Sequence, residues 1–259
     1  MRPARLGLAR LALACGCALA AGCSYVQSFL QPYLAPPVAR AGYVDPRLEF
    51  TAADAAAIDP GSLASAKRLA SRRHPPAREI AEYELEIALD GAVLSRTVVQ
   101  ITPLPDGLDL VRHPIPGESP GDPAEMEASV GIAGAISVVR WRGVLGVDRK
   151  KPRTAARIVG VEGEPFGVSA AAWTIGIDRQ RGATSYKTCN AVGTADAASV
   201  HASFTGRAVR YRCATDEVGF VEWLWFVESL QRYFPGGASV PNEGEVLHRI
   251  VEVRYRTPE

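Results

Sequence analysis

The chain has 259 residues, 47% of them hydrophobic, with 29 basic against 28 acidic side chains and a formal net charge of +1. That balance excludes a protein that binds polyanions through global charge, and the apolar content excludes a disordered chain. Twenty-four glycines and 19 prolines, spread along the sequence, favour turns between short strands over long helices.

The first ten residues carry Arg2, Arg5 and Arg10 and no acid, and an apolar run follows from Leu11 to Ala20. That run is too short to span a bilayer, which needs about 20 apolar residues. A basic start, a short apolar stretch and small residues after it make the pattern of a signal peptide over 1–22. Ala20-Ala21-Gly22-Cys23 resembles the lipobox of bacterial lipoproteins. It matches at Ala21, Gly22 and Cys23 and departs at Ala20, where leucine is commonest; Leu19 stands one place earlier. The resemblance implies that Cys23 receives a diacylglycerol, that the chain is cut before it, and that the new amine is acylated, as by palmitate. Ser24, where an aspartate would favour the inner membrane, implies the periplasmic face of the outer membrane. The membrane is then a partner through the lipid anchor, each buried acyl methylene contributing about 0.8 kcal/mol.

Cleavage before Cys23 leaves 237 residues, 259 less 22, with 26 basic side chains against 28 acidic ones, a net of −2. Cys15 and Cys17 leave with the leader, so Cys189 and Cys213 remain to pair in an oxidising compartment. Residues 23–50 read as a lipidated tether, because Pro32, Pro36, Pro37 and Pro46 forbid a continuous helix. Tyr25, Val26, Phe29 and Leu30 share a helical face, which suits either a turn lying in the headgroups or docking on the protein's own domain. Residues 51–79 form a helical lead-in. Asp59 caps it, Pro60 follows at the first position, and Arg68, Arg72 and Arg73 give it a basic end that reads as solvated.

From residue 80 to 259 the period changes to two, the mark of a β domain. Tyr83, Leu85, Ile87 and Leu89 alternate with Glu82, Glu84 and Glu86, and Asp90-Gly91 turns the chain into a second strand from Val93 to Thr102. A third strand over 108–112 follows the Pro105-Asp106-Gly107 turn. Residues 124–134 stay open between helix and strand. Residues 136–147 read as a hairpin around Arg140-Trp141-Arg142-Gly143. The most basic stretch, with Arg149, Lys150, Lys151 and Arg153, is either a solvated turn or an anion-binding patch for a partner such as lipopolysaccharide phosphate. No aromatic residues interleave it, so nucleic acid is not supported. Strands are expected at 156–162, 170–178, 184–192, 199–204 and 207–213.

Residues 218–227 are the most apolar piece after the leader. Read as a strand, which its aromatic and β-branched residues favour over a helix, they place Leu224 and Phe226 on one face and Trp223, Trp225 and Val227 on the other. Both faces then need cover. Pro235-Gly236-Gly237 closes this run, and 245–256 is the last strand. Gly163-Glu164-Pro165-Phe166, Cys189, Phe204 to Cys213, and Trp225-Phe226-Val227-Glu228-Ser229-Leu230-Gln231-Arg232 resemble, in order and spacing, uncharacterised β-rich lipoproteins of the bacterial envelope. The likeness covers about the last 95 residues. It implies an antiparallel β domain with Cys189 and Cys213 on neighbouring strands, and it carries no activity or site residues with it.

The expected fold is mainly β: an antiparallel meander forming a strongly curved sheet, sandwich or barrel, with one short N-terminal helix. None of His74, His113, His201 and His248 falls in a metal-ligand spacing, and no phosphate loop, dinucleotide fingerprint or nucleophile elbow occurs, so no metal or cofactor is expected. Three functions remain open. The first is a membrane-anchored module that binds or assembles with another envelope component, a protein or a lipid. The second is a carrier that holds an apolar ligand within a curved sheet, against Trp223, Trp225 and Trp141. The third, an envelope hydrolase, has the least support, and the reading favours a protein that is not an enzyme.

Overall fold

Among the described residues, regular structure begins behind Asp59. Its carboxylate accepts the backbone N–H of Ser62 at 2.8 Å, and Pro60 follows at a position where no intrahelical N–H is needed. Helix α1 (Pro60–Ala70) buries Ser62, Ala66, Leu69 and Ala70. The computed structural model describes residues 58–115, 125–144, 150–155, 157–166, 172–178, 184–215, 220–240 and 244–257. The leader, Cys23 and the tether lie outside them.

Among the described residues thirteen strands follow: β1 (Ile80–Leu89), β2 (Ala92–Pro103), β3 (Asp109–Ile115), β4 (Glu125–Ile132), β5 (Ile136–Val144), β6 (Lys150–Ala155), β7 (Arg157–Gly163), β8 (Trp173–Asp178), β9 (Thr184–Asp196), β10 (Arg207–Thr215), β11 (Val221–Val227), β12 (Arg232–Val240) and β13 (Gly244–Tyr255). They form one sheet in the order β6-β5-β4-β3-β2-β1-β13-β12-β11-β10-β9-β8-β7. The fold is therefore mainly β, an antiparallel meander in which β13 returns to pair with β1. No helix among the described residues is long and apolar enough to cross a membrane.

Connectivity forces the sheet to curl. β6 and β7 are its two edges, yet a single residue, Ala156, separates them in sequence. A flat sheet of thirteen strands would hold its edges about 58 Å apart, at about 4.8 Å per strand. Two residues of chain reach only about 7 Å. The edges therefore meet at one corner, although they are not paired there and the sheet stays open.

Curling brings the two wings face to face around one core. Val130 and Ile132 of β4 and Val138 of β5 share that core with Trp173 and Ile175 of β8 and Tyr211 of β10, and Ala66, Leu69 and Ala70 of α1 cover it. Tyr233 of β12 stands at its centre, with rings of Trp173, Tyr211 and Phe226 centred 5.8, 5.6 and 4.8 Å away. The tip of the β4–β5 hairpin reaches across, where the Tyr233 N–H donates to the Ala133 carbonyl at 2.7 Å. Gly134 makes that approach possible: its φ is +80°, and a Cβ there would lie 2.7 Å from the Tyr233 carbonyl oxygen. A second core holds Tyr83, Leu85, Ile87, Phe204, Val227, Phe234 and Ile250.

Of the strand expected over 218–227, Val221–Val227 is strand and residues 218 and 219 lie outside the described residues; its need for cover on both sides is met. Leu224 and Phe226 enter the first core, while Val227, with Trp225 at the margin, joins the second. Cys189 and Cys213 are directly opposed on β9 and β10 and form a disulfide. Residues 125–132, which the sequence leaves open, are strand. Four local expectations are corrected. Residues 136–144 are one strand rather than a hairpin, because the turn falls earlier, at Ala133-Gly134, with both residues at positive φ. The basic stretch is edge strand β6 rather than a turn. Residues 197–199 form a 3-10 turn, and no strand covers 199–204, whose Phe204 plugs the second core from a loop. Pro235-Gly236-Gly237 does not end a strand but lies within β12, where a register shift opposite Trp223 and Leu224 absorbs it.

Candidate functional site

Two places in the described structure combine exposed or cleft-lining apolar side chains with clustered charge. The first is set by strand register. Asn190, Arg212, Trp223, Gly237, Leu247, Ala88 and Val93 are successive opposed partners from β9 to β2, so they form one row on one face. The next row, on the other face, is Trp173, Cys189, Cys213, Glu222, Ala238 and Val246. All of these but Glu222 are buried. The first row therefore points outward. Its apolar members are open to solvent, Val93 at 55% and Leu247 at 47%, with Trp223 half-buried between Arg212 and Gly237. A Cβ at Gly237 would lie 2.5 Å from the Val246 carbonyl oxygen, so no side chain stands between Trp223 and Leu247.

Arginines border this row. The Arg210 guanidinium lies 5.8 Å from the ring centres of both Trp223 and Trp225. Arg96 and Arg249 flank the buried carboxylate of Glu86 at 2.7 and 2.6 Å. Hydrogen bonds from Arg96 hold the Glu86 carboxyl below its ordinary range, Arg249 adding to them and burial opposing. Arg96 also lies 3.9 Å from Glu84, so two guanidinium groups and two carboxylates form a charged border at the edge of the apolar row.

The second place is a cleft of about 470 Å³ at the C-terminal end of α1, between the 71–80 segment, the β2–β3 turn and the start of β12. Ile80, Ile101, Leu104, Leu108 and Leu230 supply apolar wall. Asp109 is its buried anchor. One carboxylate oxygen takes Arg232 Nη2 at 2.6 Å, Arg73 Nη1 at 3.4 Å and the Ala133 backbone N–H at 3.2 Å. Arg73 also donates to the Gly107 carbonyl at 3.2 Å, while its Nε–H is buried with no acceptor among the described residues. Burial lowers the Arg73 pKa, and Asp109 works against that shift. At the rim Lys67 pairs with Asp106 at 2.7 Å, Glu79 with Arg256 at 3.3 Å, and Arg78 stacks 3.5 Å over the Tyr255 ring.

The residues expected from sequence scatter. Trp223 and Trp225 lie together beside Arg210 on one face of β11, Trp225 also packing against the second core. Trp141, Lys150, Lys151 and Arg153 are described in their backbone alone, with Trp141 opposite Pro152 across β5 and β6. Arg149 and Cys23 lie outside the described residues. Sequence reasoning missed the grouping of Asp109, Arg73 and Arg232, although a carboxylate within Leu108-Asp109-Leu110-Val111 is a signal, since an acid in an apolar strand needs a partner. Elsewhere burial pushes the Tyr83 hydroxyl up to about 12 and the His248 imidazole down to about 4, a nearby Glu222 weakly opposing the latter. Among the described residues no three His, Cys, Asp or Glu side chains gather as metal ligands.

No protein-family model matches the chain, and no curated protein matches it in sequence. Among solved structures it is similar to the crystal structure of a DUF1329 family protein from Desulfovibrio piger, at 9% identity and a TM-score of 0.32, over 75% of this chain and 93% of that one. So slight a likeness carries no argument about function.

Proposed function

We propose that the protein is a lipid-anchored binding module of the bacterial envelope, tethered through Cys23, that docks on an anionic lipid surface through the row Trp223–Leu247–Val93 and its bordering arginines. The row carries this reading. Exposed apolar side chains singly scattered need no explanation, but aligned across neighbouring strands they suit a contact surface. Trp and Arg side by side suit the headgroup level in particular, where an indole keeps its apolar body in lipid and its polar edge in water and a guanidinium pairs with phosphate. The basic residues Arg149, Lys150, Lys151 and Arg153 would add to the same attraction. The carrier reading is less favoured, because Trp223 stands on the outward row, Trp225 packs at the margin of the second core, and aromatic side chains fill the first core.

The test is flotation with vesicles of phosphatidylglycerol or of phosphatidylcholine, using the full chain with Cys23→Ser so that no acyl chain contributes. Binding to the anionic vesicles, weakened by salt and lost in Trp223→Ser/Leu247→Ser, is expected. Absence of binding to either vesicle, or equal binding by the double variant, would sink the proposal. Anchoring is checked separately by the mass of the mature N-terminal peptide, which should carry acyl chains on Cys23.

A further inference from the structure

The cleft beneath α1 has no part in that docking surface, and its chemistry points to a different ligand. We infer that it binds a single-chain anionic amphiphile, with a carboxylate or phosphate head against Arg73 and an apolar tail along Ile80, Ile101, Leu104 and Leu230.

Charge favours an anion there. Lys67, Arg73, Arg78 and Arg232 line the cleft against Glu79, Asp106 and Asp109, four cations to three carboxylates. Two of those acids are already engaged. Asp106 holds Lys67, and Glu79 turns to Arg256, which is not part of the lining. Asp109 is left to serve two guanidinium groups, Arg73 at 11% and Arg232 at 7% side-chain exposure. A buried positive charge so incompletely matched is stabilised by a second anion.

Hydrogen bonding points the same way independently. Buried polar atoms in folded proteins are almost always satisfied, so an exception asks for a partner. The Nε–H of Arg73 is buried without an acceptor, although Nη1 of the same guanidinium is held by Asp109 and by the Gly107 carbonyl. With Nη1 so engaged, the planar group is fixed in orientation, and Nε is left as a buried donor lacking an acceptor among the described residues.

The walls of the cleft set the chemistry of the rest of the ligand. A site for a free inorganic anion needs polar donors all round, as an oxyanion has acceptors on every side. This cleft sets guanidinium groups beside aliphatic and proline side chains, among them Pro75, Pro76 and Pro103, with Lys67, Ser71, His74, Glu79 and Asp106 completing the lining. Its volume falls in the ordinary range for small-molecule sites, about 300–1,000 Å³. It suits one short or partly inserted chain rather than a whole diacyl lipid.

Calorimetric titration of the full chain with Cys23→Ser tests this, with octyl phosphate, octanoate, inorganic phosphate and octanol as probes below their aggregation concentrations. Octyl phosphate and octanoate should bind one to one, each at least tenfold more tightly than inorganic phosphate or octanol. Arg73→Gln should weaken octyl phosphate at least tenfold. Arg73→Lys keeps the charge beside Asp109 but removes the fork, and it should weaken binding three- to tenfold with the fold intact by circular dichroism, which covers the case that Arg73→Gln does not fold. Octanol binding as tightly as octyl phosphate would make the cleft an apolar slot, and equal binding of inorganic phosphate would make it a plain anion site; each overturns the inference. Unchanged affinity in folded Arg73→Lys, or no binding of any probe, overturns it as well. Vesicle docking by the outer row is read with other residues and other probes, so either result stands without the other.

Discussion

The two faces of β11 are nearly equal in hydrophobicity and opposite in fate. Leu224 and Phe226 look inward to Tyr233 and Tyr211, where the wings of the curled sheet close over them. One residue along, Trp223 looks outward onto a row where Leu247 and Val93 remain open to solvent. Apolar character alone, then, does not make a core. A face becomes core only where other parts of the chain are brought to cover it: the first core takes Leu224 and Phe226, the second takes Val227 on the opposite face, and Trp223 is left at the surface.

Removing an inner side chain should produce the largest effect. Phe226→Ala, at a site with no solvent exposure, should cost about 3–5 kcal/mol in chemical denaturation. A loss below about 1 kcal/mol would mean that the inner face is not tightly packed. Next comes the staple on the inner row. Replacing Cys189 and Cys213 together by alanine should cost about 3 kcal/mol, from the loop of 24 residues that the bond closes. The same shift should accompany reduction of the native chain with dithiothreitol, and no change on reduction would contradict the bond.

Protonation sharpens the contrast, because His248 faces the interior while its neighbours Leu247 and Arg249 face out. Its folded pKa, near 4, lies below the ordinary 6.5, since burial disfavours the imidazolium. The unfolded chain therefore takes up the proton first. Stability should be complete above about pH 6.5 and decline as pH falls towards 4, by up to about 3 kcal/mol from this group. His248→Gln should flatten that part of the profile, and an unchanged slope would show that another group titrates. Smallest of all, Trp223→Ser on the outer row should move stability by about 1 kcal/mol or less while lowering attachment to phosphatidylglycerol vesicles severalfold. A large loss of stability with unchanged attachment would reverse the assignment of the two faces.

Much of the strand map is legible in the sequence because its signals are local. Asp59-Pro60 marks a helix start through hydrogen bonding within four residues, and Asp90-Gly91 marks a turn through φ angles of +48° and +83° that few other pairs accept. Alternation in 80–89 gives β1 its bounds, yet it misreads Glu86, which is buried because Arg96 and Arg249 come to it from both neighbouring strands. Pro235-Gly236-Gly237 misleads for a related reason. A bulge looks like a terminator until the partner strand is known, and a Cβ at Gly236 would press on the Trp225 indole at 3.0 Å.

The cleft is illegible in the sequence. Arg73 reads as part of a solvated helix end, as most such arginines are, and Arg232 as the close of a strand motif. They converge on Asp109 from 36 residues away on one side and from beyond β11 on the other.

What the sequence determined by itself is therefore what short-range chemistry determines: a helix behind Asp59, strands of period two, turns at Asp-Gly, and two cysteines left to pair. Only the tertiary structure decided which apolar faces are covered, which arginines share a carboxylate and which cation is left in excess. Those outcomes depend on the curl of the whole sheet, and curl is set by pairings between residues far apart in the chain, such as β1 with β13, for which no local pattern exists.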